Sequence, residues 1–329
     1  MATKELVDCQ VNYGRSMFGP ECDIDYYDRT AAKVGVTRAL VIPTLTHELR
    51  TEDFTERSCI WTEKGEEVVY QRELVYKNGS KKVERDPANP YHLMNQATLE
   101  KVRELNKQSR IRYYFLPKVH PILDDEKEVR GFVRNQETVG LKVHGLAAHI
   151  TPEQMPEWIV ELANRNDKAV YVHTDYYNRD YSDERTPDYL LNIISKNTPK
   201  SWISWAEKTR PKRLYLAHLV RMDPEAIEFV NESRGVITGL GPDFMLQNEL
   251  IRLKRPTSNI LHDALTLLKP TKLVFSTDFA WNVFDRRNWG SFDWQTKDRL
   301  SEEAAKLGLD ESLLDSVMFR NAIRFFRLN

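Results

Sequence analysis

The sequence predicts an α/β fold of the (β/α)8, or TIM, barrel class, with a small antiparallel β insertion after the second strand. Three observations predict it: eight short apolar runs rich in β-branched and aromatic residues, helical periodicity after most of them, and strand starts mostly 22 to 44 residues apart. That spacing holds one strand, one helix and their loops, as a βαβ unit requires. Eight such units close into one barrel, and 329 residues lie within the reach of a single α/β barrel domain. Residues 1–329 are therefore read as one domain.

In chain order the runs are Leu6–Val11, Arg38–Ile42, Arg112–Leu116, Val139–Val143, Ala169–Val172, Leu214–Ala217, Val236–Gly239 and Leu273–Ser276. Between them, Leu99, Val102 and Leu105 mark one helical stripe, and Ile260, Leu261, Ala264, Leu265 and Leu268 mark another. Thr151-Pro152-Glu153-Gln154 and Asp223-Pro224-Glu225 each read as a helix start, with a capping side chain before a Pro at the first helical position. Trp202-Ile203-Ser204-Trp205 reads as a helix packing on the barrel.

The 74 residues from Arg38 to Arg112 are too many for one unit. They hold Cys59-Ile60-Trp61-Thr62, Val68-Val69-Tyr70 and Leu74-Val75-Tyr76, with Asn78-Gly79 following, a hairpin signal. Residues 44–90 are expected to form a β-hairpin insertion on the barrel face where active sites sit, as a lid, a dimer contact or a loop decoration.

With 48 basic and 49 acidic side chains the net charge is −1, which offers no field for a phosphate backbone, so nucleic acid is not an expected partner. No apolar run approaches the roughly 20 residues of a membrane span, and the start lacks a signal-peptide core, so a cytoplasmic enzyme with no membrane partner is expected. A small-molecule substrate is the expected partner, and a homo-oligomer is compatible with the sequence. Cys9, Cys22 and Cys59 show neither a disulfide framework nor a zinc spacing. With Gln10 and Asn12 facing inward, alternation turns Cys9 away.

Ionisable groups collect at the C-terminal ends of the strands. The first run ends Asp8-Cys9-Gln10-Val11-Asn12, the fourth Lys142-Val143-His144, the fifth Val172-His173-Thr174-Asp175, the sixth Ala217-His218-Leu219 and the eighth Ser276-Thr277-Asp278. Barrel catalysts come from these ends. On these residues, with Gly140-Leu141-Lys142-Val143-His144 and Asn321-Ala322-Ile323-Arg324-Phe325-Phe326, the chain resembles the amidohydrolase superfamily, most closely its amidohydrolase-related, metal-dependent hydrolase-like branch of hydrolases, lactonases and non-oxidative decarboxylases. The resemblance spans nearly the whole chain. It implies a metal site built from a first-strand His-x-His, the fifth-strand His173 and the eighth-strand Asp278, with His218 as a second ligand or proton-transfer group.

Here Gln10 and Asn12 replace that His-x-His, which leaves a degenerate metal site. Amide oxygens suit zinc poorly, and the remaining imidazoles suit hard cations poorly. The residues therefore favour no tightly bound metal; if a zinc-type divalent metal binds, His173 and Asp278 are its ligands. Asp278 is expected as general base, His218 or His173 as the complementary acid, and Lys142 as fixed positive charge. Gln10, Asn12 and His144 are expected to orient substrate, with Arg15 and Arg221 clamping an anionic group. Tyr176, Tyr177 and Trp281 are candidates for an apolar wall. The expected function is hydrolysis of a C–N or C–O bond (amide, lactam or lactone) in a small polar or anionic molecule. The alternatives are non-oxidative decarboxylation, or a catalytically inactive ligand-binding or scaffold barrel.

Overall fold

The computed structural model describes residues 5–16, 21–44, 47–64, 67–174, 188–240, 257–279 and 295–329. All eight predicted runs form barrel strands: β1 Leu6–Ser16, β2 Val36–Pro43, β3 Arg112–Phe115, β4 Gly140–Val143, β5 Ala169–Val172, β6 Leu214–Leu216, β7 Val236–Gly239 and β8 Leu273–Val274. Neighbours pair in parallel from β1 through β3 and from β4 through β8. Two further contacts close the ring. Phe115 bridges Thr138 between β3 and β4, and Val11 bridges Phe279 between β1 and the segment after β8.

Alternation along each strand divides the core. Val7, Leu40, Ile42, Tyr114, Leu116, Tyr171, Tyr215, Ile237 and Val274 fill the barrel. Their neighbours Leu6, Val41, Leu141, Val143, Val170, Val172 and Leu216 face outward, in one cluster with Val102, Leu105, Ile159, Trp202 and Ile260 from the helices. Both predicted helical stripes are buried, and Trp202 and Trp205 pack as expected. Asp223 caps the helix Pro224–Glu232 by accepting from Ala226 N at 3.1 Å. Thr151-Pro152 instead opens a 3-10 turn, Pro152–Gln154, with the helix Glu157–Arg165 starting after it.

The C-terminal segment plugs the N-terminal end of the barrel. Phe325 and Phe326 join the interior cluster, Arg213 Nη1 donates to Phe325 O at 2.6 Å, and Tyr114 Oη donates to Asn329 O at 2.6 Å. Asn321 Nδ2 ties this plug to Leu273 O at 2.8 Å, at the start of β8.

The insertion is larger than a hairpin. Strands His47–Arg50, Phe54–Lys64, Glu67–Tyr76 and Lys81–Arg85 form an antiparallel sheet that continues from the end of β1. Asn78-Gly79 makes the predicted turn, with Gly79 at φ +81° and Asn78 Oδ1 accepting from Ser80 N at 2.9 Å. Among the described residues no helix is long and apolar enough to cross a membrane.

Candidate active site

Period two places Lys142 and His144 on one face of β4, and Tyr171 and His173 on the matching face of β5, where Lys142 pairs with Tyr171. Buried Lys142 holds its Nζ 4.1 Å from the Tyr171 ring centroid. The His144 and His173 rings stack at 3.8 Å and 16°. His173 Nδ1 lies 3.0 Å from His218 Nε2. Burial pushes the pKa values of His173 and His218 well below the usual imidazole range, and the charges of Lys142 and Arg221 add to the push. Both rings are therefore neutral at pH 7, one donating to the other.

Asp278 lies across the mouth. Gln10 Nε2 and Asn12 Nδ2 both donate to its Oδ1, the second at 3.0 Å. The Gln10 amide is oriented by Tyr171, whose hydroxyl donates to Oε1 at 2.6 Å, and Asn12 is held by a further bond to Phe279 O at 2.7 Å. Among the described residues no donor is bonded to the other Asp278 oxygen, Oδ2. Burial raises this carboxyl to about 7, while Asn12, Lys142, Gln10 and Arg221 hold it from going further.

Beneath this pair lies a knot at Asp8, fully buried. Its Oδ1 accepts from Thr277 N at 3.0 Å and Gln10 N at 3.2 Å; its Oδ2 accepts from Thr277 Oγ1 at 2.5 Å and Tyr27 Oη at 2.8 Å. One carboxylate thus ties the bulged part of β1 to the residue before Asp278.

The loop after β6 is backbone of a rare kind. His218, Leu219, Val220, Arg221 and Met222 all have φ between 45° and 60°, and none is glycine. Each such residue costs about 1–2 kcal/mol relative to a right-handed turn. All five are buried, and Arg221 Nε donates to Thr174 O at 2.8 Å, so packing and this bond hold the turn. The strained turn sets His218 against His173 and carries the Arg221 charge toward Asp278.

Of the predicted site residues, Gln10, Asn12, Lys142, His144, His173, His218, Arg221 and Asp278 converge here. Arg15 stands apart, half exposed, with Nη1 3.2 Å from Glu48 of the insertion. Tyr176, Tyr177, Asp175 and Trp281 lie outside the described residues, as does the side chain of Cys59. Cys9 differs from its expectation. A bulge between Asp8 and Val11 breaks the alternation, so Cys9 packs inside the barrel with Tyr171 and Tyr215 while Gln10 still reaches Asp278. Sequence reasoning missed Tyr171, which alternation from His173 would have found, and Tyr215, its register partner, stacked at 4.0 Å. A Cβ on Gly239 would overlap the Tyr215 hydroxyl, so this stack depends on that glycine.

No family model and no curated protein sequence matches the chain. Among solved structures it is similar to a dihydroxybenzoic acid decarboxylase from Polaromonas sp. JS666 with bound manganese and the inhibitor 2-nitroresorcinol, at TM-score 0.59 and 13% identity over 99% of this chain and 98% of that one. A 2,6-dihydroxybenzoate decarboxylase from Rhizobium gives 0.56 and 11% over 98% and 99%. An amidohydrolase from Burkholderia multivorans with bound zinc gives 0.54 and 11% over 99% and 100%. These likenesses show the fold, a barrel shared by amidohydrolases and decarboxylases.

The donor set here does not fit such a metal. The Gln10 and Asn12 atoms that face Asp278 are N–H donors already bonded to its Oδ1, and donors do not ligate a cation. The His173 Nδ1 is turned to His218. Among the described residues no three His, Cys, Asp or Glu side chains converge to hold an ion. Elemental mass spectrometry of protein purified without a metal-affinity tag is accordingly expected to find zinc, manganese and iron well short of one per chain. Near one per chain, lost together with activity on chelation, would overturn this reading of the amides.

Proposed function

We propose that the chain is a barrel hydrolase that cleaves a C–N or C–O bond (amide, lactam or lactone) in a small anionic molecule, with Asp278 as general base. The observation that carries the reading is the Asp278 carboxyl, held through Oδ1 by Gln10 and Asn12 and raised to about 7, with Lys142 and Arg221 beside it. Asp278 Oδ2 takes a proton from water as the water oxygen bonds to the carbonyl carbon. Lys142 and Arg221 offset the charge developing on the carbonyl oxygen. When the carbon–heteroatom bond breaks, the proton passes from Asp278 to the departing nitrogen or oxygen. The neutral His173–His218 pair serves as a hydrogen-bonding relay on that path, which is the form the complementary-acid role takes in this proposal.

The test is the pH profile on a substrate found by screening amides, lactones and carboxylates. With a base of pKa about 7, kcat/KM is expected to rise through pH 7 and level above it, because only ionised Asp278 accepts the proton. Neutral histidines add no second limb in this range. A profile flat from pH 6 to 8 would remove Asp278 from the role.

One observation favours non-oxidative decarboxylation as a second reading. A carboxyl with pKa about 7 is partly protonated at neutral pH and can deliver its proton to carbon as CO2 departs, while Lys142 and Arg221 hold the substrate. The fold likeness to decarboxylases supports it equally. Release of CO2 from a screened carboxylic acid separates the two.

A further inference from the structure

The third barrel strand leads into a second copy of the pattern that builds the site. Lys118-Val119-His120 follows β3, Lys142-Val143-His144 ends β4, and Tyr171-Val172-His173 ends β5. The three lie in register: Lys118 pairs with Lys142 and Val119 with Val143, and these pair in turn with Tyr171 and Val172. Partners on neighbouring strands stand about 4.8 Å apart, so Lys118 and His120 extend the row by one strand.

The two lysines lean apart. Lys142 Nζ lies over Tyr171 toward β5, whereas Lys118 Nζ lies 4.0 Å from the Tyr91 ring centroid and 3.4 Å from Thr44 O, on the β2 side. Lys118 is buried, and both its backbone groups are held at 2.9 Å by the Asn95 side chain. The mouth therefore carries two separate lysines, and the second stands near the buried Asp124 carboxyl, which accepts from His120 N at 2.7 Å and which burial raises to about 7.

His120 is 3% exposed. Its Nδ1 accepts from Leu123 N at 3.1 Å, which puts the ring proton on Nε2, and that atom is buried with no hydrogen-bond partner. A buried donor without an acceptor is unfavourable, and a ligand oxygen relieves it. The His120 ring meets Tyr70 of the insertion edge-on at 5.3 Å and lies tilted against Tyr91 at 5.9 Å. Tyr70, Tyr91 and Ala147, three residues beyond His144, form one buried cluster. The insertion thus supplies a wall at this end of the mouth.

We infer that Lys118 and His120 form a second oxyanion-binding position, so that the substrate is a small molecule with two anionic oxygen groups, one toward Lys142 and Arg221 and the other here. This inference rests on the reading of the site as one for a small anionic substrate.

The test titrates the full chain, carrying 15N-histidine, with benzoate and with isophthalate. Isophthalate is expected to bind about tenfold tighter, since one charge-assisted hydrogen bond is worth that factor or more, and it alone should move the His120 Nε2 resonance. Lys118→Met should remove the tenfold advantage, whereas Lys142→Met should weaken both acids. Equal affinity for the two acids, an unmoved His120 resonance, or an advantage that survives Lys118→Met overturns the second position and leaves the small-anion reading standing. Binding of neither acid to the folded protein overturns both. The resonance is read in the unsubstituted chain, so the inference stays exposed to refutation even if Lys118→Met does not fold.

Discussion

Asp278→Asn is expected to lower kcat/KM by about 10²- to 10⁴-fold, the range a positioned general base contributes. The substitution keeps the shape of the side chain and an oxygen that can still accept from Gln10 Nε2 and Asn12 Nδ2. What it removes is the basic oxygen. Folding should not suffer: a carboxyl that burial has raised to about 7 is a costly group at neutral pH, and a neutral isostere lifts that cost. The pair of measurements is turnover of a screened substrate and the urea midpoint of the variant. Full turnover in a variant that folds normally would sink the base assignment, and with it the mechanism built on Oδ2.

Asp8→Ala is expected to destabilise the fold by about 2–4 kcal/mol, read as a shift of the urea midpoint. Four donors lose their acceptor at once: Thr277 N, Thr277 Oγ1, Gln10 N and Tyr27 Oη, all inside the barrel wall. Buried donors left without acceptors cost about 1–3 kcal/mol each, and relaxation recovers part of that. The loss depends on pH in a definite direction. Burial raises the folded-state Asp8 carboxyl to about 6, with the hydrogen bonds from Thr277, Tyr27 and Gln10 opposing the rise, so from about pH 4 to 6 the folded chain holds a proton that the unfolded chain has released. The stability contributed by this carboxyl is therefore fullest at low pH and falls as pH rises through 6. Asp8→Ala should cost about 1 kcal/mol more at pH 5 than at pH 8. A loss that is equal or smaller at pH 5 would mean that Asp8 is not raised in the fold.

Most of the candidate site was legible because it obeys period two. Lys142 with His144, and the inward turn of Gln10 and Asn12, follow from alternation and from the strand ends at which they sit. Cys9 escaped that logic, since a bulge adds one residue to β1 and lets Cys9 and Gln10 both reach the interior. Lys118 and His120 escaped it for a different reason. Pro117 closes the apolar run of the third strand at Leu116, yet pairing with β4 resumes at Lys118, because the missing N–H matters only where the ladder would use it. The left-handed turn from His218 to Met222 had no signal at all, as no glycine marks it.

The insertion shows the same division. Asn78-Gly79 and the alternating runs around it announced antiparallel strands, and the turn forms as those two residues dictate. That this sheet would grow from the end of β1, and deliver Tyr70 to His120, required pairing between residues far apart in the chain.

By itself the sequence determined the eight-strand α/β periodicity, the burial of each helical stripe and the row of ionisable groups at the strand ends, because these depend on side-chain spacing within a few residues. Tertiary structure alone decided that Gln10 and Asn12 donate to Asp278, that Asp8 ties β1 to Thr277, and that His173 faces His218. Those contacts join residues 45 to 269 positions apart, and their geometry exists only once the barrel has closed.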